Sequence, residues 1–471
     1  MKIVVVSHQL PPNYRSGAEL YAWQQCRWLQ NQGHEVRAVA VEDIEARLPH
    51  LEARPEVYQG VPVTRLHFDR LNYPNPLEVS HNNPEVEAWF KTYLDEFEPE
   101  LLLVNACYLL GVGILTAARQ AGIPVVLTLH DFWFLCQRLT LMRPDGTLCD
   151  GQVTPADCAL CLAKDRRRYL LADKLSGGLA GRALVAGATA GWQPFQQLLG
   201  GPRKLETLAN RRRVLLEALG QVERIIAPSQ YLKQVFVENN FPADKIHYCR
   251  YGLDTARLVS LEQERSRRDR LSGAGEGHRP LRVGYLGQVL PHKGVDVLVE
   301  AFGLVKSRSA DQAGISLTVH GEMGRNPAYD AKLHRLAAGD SRIKFAGAYN
   351  AAQLPEILLP LDLVVVPSIW LENSPIVIME AQSAGIPVIA TDLGGMAEMV
   401  RHGENGLLFA RKDARDLAKQ LQRLLDEPGL LARLRAGTVP VKSLDQEFAE
   451  LVPLYSQVVA EAALKRAGQL R

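Results

Sequence analysis

A chain of 471 residues is too long for one typical domain and predicts two or three. Its 47% hydrophobic and 23% charged residues are those of a soluble globular protein. A net charge of +2, with no aromatic-interleaved basic motif, argues against a dedicated nucleic-acid binder.

Taken in order, Lys2–Ser7 reads as a strand, Ala18–Asn31 as an amphipathic helix ended by Gly33, and Val36–Val41 as a second strand. The apolar run at Met1–Val6 is too short for the core of a secretion signal, so no signal peptide is expected. The 18 uncharged residues Leu101–Ala118 reach the length of a membrane span. Asn105, Gly111 and Gly113 interrupt them, however, and another strand follows at Pro124–Leu129, so a strand, loop and helix within an α/β core is expected. Leu101–Val104, Val125–Leu129 and Arg224–Ala227 read as further strands, and such alternation predicts a parallel sheet with right-handed crossovers.

Seven cysteines without a secretion signal imply a reducing compartment and no disulfides. Four of them, Cys136, Cys149, Cys158 and Cys161, fall within 26 residues with the spacing C-x12-C-x8-C-x2-C around a Pro144-Asp-Gly146 turn. That set is a candidate structural zinc site, with an iron–sulfur cluster or four unrelated thiols as alternatives. Lys164–Arg213 then carries 11 Lys and Arg against 3 Asp and Glu, with Trp192 and Phe195 among apolar residues. Basic flanks around an amphipathic stretch suit an anionic membrane surface; a solvated helical insertion is the plainer reading.

The polar run 263–280, with Arg265-Ser-Arg-Arg-Asp-Arg270 and a Gly-rich stretch, reads as a linker between a first domain, 1–262, and a second βα domain, 281–427. The tail, 428–471, reads as helical. In the second domain, strand Leu363–Val366 runs into a loop with Glu372. A helix carrying Glu380 follows, about two turns in, and then strand Val388–Ala390. Ligands of α/β folds collect at such carboxyl ends of strands. Upstream stands Gly284-Tyr-Leu-Gly287, then His292-Lys293-Gly294; downstream come Gly394-Gly395-Met-Ala-Glu398 and Gly403-Glu-Asn-Gly406. No G-x-G-x-x-G follows either leading strand, which disfavours a dehydrogenase.

This order of strand, Lys-Gly, paired acids and Gly-Gly-x-x-Glu resembles retaining glycosyltransferases of family four, strongly over 279–424 and less so at the first 50 residues and at Thr128–Asp131. The resemblance implies a GT-B fold, two Rossmann-like domains facing across a cleft, the last helix crossing back to the first domain. It implies a retaining, metal-independent hexosyltransferase that moves a sugar from a nucleotide-diphosphate sugar to a glycan or lipid-linked acceptor. Polysaccharide or glycoconjugate biosynthesis would be its setting, in the cytoplasm or peripherally on the inner membrane face.

By the same resemblance, Lys293 binds the diphosphate, Glu380 takes the ribose hydroxyls and Glu372 lies beside the donor sugar. Asn373, Ser374 and Ile376 present amides to the donor, Gly17 admits the phosphate or acceptor, and His130 contacts the sugar. His130, Glu372 and Lys293 form the catalytic set, and no cofactor is required for the chemistry. Ser229, Gly252 and Asp254 match further family positions, where structural roles are as apt as functional ones. Gln288 stands where the family carries an Arg, leaving Arg250 or Arg325 to supply a second cation. That departure keeps open a weakened member acting as a nucleotide-sugar-binding or scaffold protein; the nearest enzymatic rival is another GT-B activity, such as a nucleotide-sugar epimerase, which would use donor and water without an acceptor.

Overall fold

The computed structural model describes residues 1–14, 16–254, 258–261, 264, 280–306, 314–438 and 441–469. The expected linker lies outside the described residues except at its positions 264 and 280, as does Arg15. Contacts group the chain into two units. The first holds Met1–Pro228, Lys233–Cys249 and Phe448–Arg471; the second holds Ser229–Leu232 and Arg250–Glu447.

The first unit is built on eight strands: β1 (Lys2–Ser7), β2 (Glu35–Asp43), β3 (Glu52–Tyr58), β4 (Val61–His67), β5 (Leu101–Val104), β6 (Val125–Thr128), β7 (Arg224–Ala227) and β8 (Ile246–Tyr248). Their order is β3-β4-β2-β1-β5-β6-β7-β8, parallel throughout except for the β3–β4 hairpin. Ile3, Val4, Val5 and Val6 are fully buried, as a central strand covered on both faces requires. Each contributes roughly 1.5–3 kcal/mol of transfer free energy. The hairpin escapes a sequence reading because β3 is a polar edge strand containing Pro55, with Val57 72% exposed. Leu101–Ala118 resolves into β5, a loop and the start of helix Gly113–Gln120, as its interruptions predict. No helix of the described residues is long and apolar enough to cross a membrane.

The second unit has six strands: β9 (Leu281–Leu286), β10 (Ile315–His320), β11 (Ile343–Gly347), β12 (Leu363–Val366), β13 (Val388–Thr391) and β14 (Gly406–Phe409). They are all parallel, in the order β11-β10-β9-β12-β13-β14. Val283, Leu317, Leu363 and Ile389 pack from the sheet against Leu298, Phe302 and Leu417 of the covering helices.

Both sheets reverse their winding once, between β1 and β5 and between β9 and β12. A crevice forms at such a reversal because successive helices cover opposite faces. The residues just beyond β1, β5, β9 and β12 are therefore the natural places for ligand chemistry.

Candidate active site

Beyond β12 of the second unit, Glu372 is buried and its Oε1 accepts three hydrogen bonds. The donors are Lys293 Nζ at 2.7 Å, Ser368 Oγ at 2.8 Å and Trp370 Nε1 at 2.8 Å. Burial alone would raise the Glu372 pKa; the Lys293 charge and these donors outweigh it and hold the carboxyl below its usual range. Lys293 Nζ also lies 5.0 Å from the centroid of the Trp370 ring.

Backbone contact sets this pair. Gly294 has φ +68°, and a Cβ there would meet Pro367 O at 2.0 Å, while Ile369 N donates to His292 O at 2.9 Å. The Lys293 loop and the end of β12 are thus seated on each other by main-chain atoms. A second close approach holds the acid loop from its other side. Gly395 N donates to Glu372 O at 2.8 Å, and a Cβ on Gly395 would lie 1.6 Å from Asn373 O.

Asn373 and Ser374 are buried in this loop, and helix Ile376–Ser383 follows with Ile376 as its first residue. Glu380 is the fifth residue of that helix, a little over one turn in rather than the expected two. It is half-buried, its carboxylate makes no hydrogen bond or ion pair within the described residues, and burial pushes it up to about 7. Gln288, after β9, is exposed; its carbonyl accepts from Tyr285 Oη at 2.6 Å. Arg250 lies 3.6 Å from Glu398 and Arg325 lies 3.3 Å from Glu322, so each candidate second cation already faces an acid.

In the first unit, Gly17 is exposed at the start of helix Gly17–Asn31. Two residues on, the buried Glu19 takes a hydrogen bond from Ser16 Oγ and lies 3.1 Å from His8 Nε2, just past β1. His130, past β6, packs edge-on to Tyr21 of the same helix at 5.1 Å. Its Nε2 is 3.1 Å from Asn105 Oδ1; Asn105 Nδ2 donates to Gln25 Oε1 at 2.8 Å, and Gln25 Nε2 donates to Tyr455 Oη at 3.1 Å. Burial, reinforced by His8, lowers His130 to about 3, so the ring is neutral at working pH. Asp131 accepts from Trp133 N at 2.7 Å, and burial raises its carboxyl.

Sequence reasoning missed the supporting residues: Ser368 and Trp370 around Glu372, and His8, Glu19, Asn105, Gln25 and Tyr455 around Gly17 and His130. A signal existed for His8 and Asn105, polar residues placed immediately after apolar strands at a winding reversal. Gln25 and Tyr455 stand 430 positions apart and carried none.

Cys136, Cys149, Cys158 and Cys161 line one pocket, and none of the seven cysteines is in a disulfide. As the side chains stand, no group of three or more His, Cys, Asp or Glu among the described residues is drawn together as a metal site. The basic insertion folds as helices Arg167–Leu175, Leu179–Thr189, Gln193–Leu198 and Pro202–Gly220.

Comparison with known proteins matches the Glycosyl transferase 4-like domain to residues 16–252 and Glycosyl transferases group 1 to residues 271–438. Among curated relatives, the D-inositol 3-phosphate glycosyltransferase of Rhodococcus jostii is 36% identical over 33% of this chain and 34% of its own length. That of Salinispora arenicola is 29% identical over 52% of this chain and 57% of its own. The chain thus spans between a third and somewhat over half of these relatives' length. Among solved structures, Anabaena HepE in complex with UDP-glucose has a TM-score of 0.60 at 17% identity, covering 98% of this chain and 99% of that one. Sucrose-phosphate synthase of Thermosynechococcus elongatus has a TM-score of 0.62 at 17% identity, over 98% and 99%. At that identity the likeness is one of fold. With two parallel-sheet units and these two family matches in chain order, the chain belongs to the family-four type of glycosyltransferases and has the GT-B fold.

Proposed function

We propose that this protein transfers a hexosyl group from a nucleotide-diphosphate sugar to a glycan or lipid-linked acceptor with retention and without a catalytic metal. The observation that carries this reading is the Lys293–Glu372 pair at 2.7 Å, with Glu380 desolvated on the next helix and unpartnered within the described residues. An ammonium has three donors. One is used on Glu372, leaving two for the oxygens of a diphosphate, whose negative charge grows as the sugar departs. Glu380 is placed to accept from ribose hydroxyls, and the amides of Ser374 and Ile376 open a helix towards the sugar.

In this mechanism the bond from the anomeric carbon to the phosphate oxygen breaks while the acceptor oxygen bonds to the same face. The acceptor's proton passes to the leaving phosphate. His130, being neutral, orients the sugar by hydrogen bonding and needs no proton of its own; Gly17 lets the acceptor or phosphate approach backbone amides. HepE, solved with UDP-glucose, supports a uridine donor, and the inositol-phosphate relatives support a hydroxyl acceptor on a polar ring.

The basic insertion supports membrane-peripheral work on the cytoplasmic face, and with it a place in polysaccharide or glycoconjugate synthesis. Leu175 is 86% exposed, Leu179 67% and Trp192 60%, in the same stretch of chain as the exposed Arg166, Lys174 and Arg182. Apolar groups among cations match the chemistry of an anionic bilayer surface.

The test is transfer itself. A nucleoside-diphosphate panel should stabilise the fold with one base, and the stabilisation should vanish in Lys293→Ala. Transfer should persist in EDTA, and NMR of the product should show the donor's anomeric configuration. The exposed, uncharged Gln288 favours a second reading, a weakened nucleotide-sugar-binding member. Nucleotide binding with no transfer or hydrolysis above a Glu380→Ala background would select it.

A further inference from the structure

The 26 positions between β6 and helix Pro155–Ala163 hold neither helix nor strand, only a two-residue bridge, Met142↔Leu148. Loops of this length inside a compact unit are uncommon and need something to hold them. This one carries His130 as its second residue. Its middle is a tight hairpin: Gly146 N donates to Arg143 O at 2.8 Å, Arg143 N to Thr147 O at 2.8 Å, and Cys149 N to Leu141 O at 2.7 Å. The hairpin delivers Cys149 to the pocket that Cys136 enters from a turn closed by its own N–H on Phe132 O at 2.7 Å. Cys158 and Cys161, one turn apart on helix Pro155–Ala163, present a third and fourth sulfur to the same pocket.

The surroundings are cationic. Arg143 Nη2 lies 3.9 Å from Cys149 Sγ. Arg211 is 4% exposed, its Nη2 donates to Trp133 O, its Nε finds no hydrogen-bond partner, and its guanidinium faces Cys136, Cys158 and Asp131. A buried cation costs free energy unless anions answer it. Here Asp131 and the sulfurs of Cys136 and Cys158 are the groups that face it.

From the convergence of four sulfurs on one pocket under two arginines, we propose that Cys136, Cys149, Cys158 and Cys161 bind a structural zinc ion. Arg211 and Arg143 offset the net charge of about −2 that four thiolates leave on the metal. Zinc would draw the sulfurs together, displace their protons and be held as a closed tetrahedral site with no open position for chemistry. Its role is to pin the loop that carries His130–Asp131.

The full chain, purified without added metal, should carry one zinc per molecule. After chelation it should take up Co²⁺ with sulfur-to-cobalt charge transfer and the intense visible bands of a tetrahedral thiolate site. Removing the metal should lower hydrogen-exchange protection over residues 132–154. A Cys158→Ser/Cys161→Ser variant should lose the metal while Cys26→Ala keeps it, and Arg143→Met should release zinc to chelator roughly 10–100-fold more readily. If the cysteine variant fails to fold, the cobalt spectrum of the wild-type chain still decides. No sulfur-to-cobalt band, iron with sulfide in place of zinc, or a disulfide among the four in freshly isolated protein would each overturn the proposal.

Discussion

Past the end of β12 a carboxylate is buried with a cation 2.7 Å away, whereas past the end of β6 an imidazole is buried with an amide oxygen 3.1 Å away. Both positions follow a strand near a winding reversal, and both residues are removed from water. Glu372 stays ionised because Lys293, Ser368 and Trp370 answer its charge. His130 stays neutral because burial, reinforced by the nearby His8, outweighs the opposing pull of Glu19, and its contact Asn105 supplies a dipole rather than a charge. If Lys293 meets a diphosphate and His130 a sugar, as proposed, a charged partner suits the first and an uncharged ring the second, since a buried imidazolium would be costly there. Burial is common to both; the partner decides the outcome.

The largest effect should come from removing the cation. Lys293→Ala should lower transfer by roughly 10²–10³-fold, as loss of a group facing transition-state charge does. Initial rates at saturating donor would show it, and a loss below tenfold would break the assignment of Lys293 to the leaving phosphate.

Gly395→Ala tests whether main-chain contact holds the acid loop. A Cβ placed 1.6 Å from Asn373 O must displace the loop, at a cost of about 2–3 kcal/mol in unfolding by denaturant and with weakened donor binding. Wild-type stability would mean the loop yields freely.

On the neutral side, Asn105→Ala should reduce kcat by roughly 10-fold with nucleotide affinity intact, because it frees the His130 ring to rotate. Asn105→Asp sharpens the comparison: an anion beside Nε2 should raise the imidazole pKa and give the rate profile a new limb that the wild-type chain lacks.

The smallest effect concerns Glu380. With its carboxyl pushed up to about 7, ionisation spreads across neutral pH. Nucleotide binding should tighten by up to about 10-fold between pH 6 and pH 8, and Glu380→Gln should be flat. Stability moves the other way. A carboxyl raised on folding contributes stability that is complete below its unfolded pKa and is lost as pH rises through about 7. Glu372, held low, contributes stability that is present above its unfolded pKa and lost on acidification. Calorimetry of Glu380→Gln and Glu372→Gln across pH should show opposite slopes.

Much of this was legible in the residues themselves. Continuous apolar runs rich in β-branched residues at Ile3–Val6 and Leu363–Val366 allow little but buried parallel strands, and the order Lys293-Gly294, Glu372, Glu380, Gly394-Gly395 carried the family. Such local patterns are fixed by period, propensity and backbone freedom, all of which act over a few positions. Tertiary structure decided what depends on distant partners: that Glu372 is ionised and His130 neutral, that Gln25 meets Tyr455 from 430 positions away, and that Arg211 is buried facing two thiols. A charge state is set by whatever lies within a few ångströms of the group, and in a parallel sheet those neighbours arrive from strands and helices far apart in the chain.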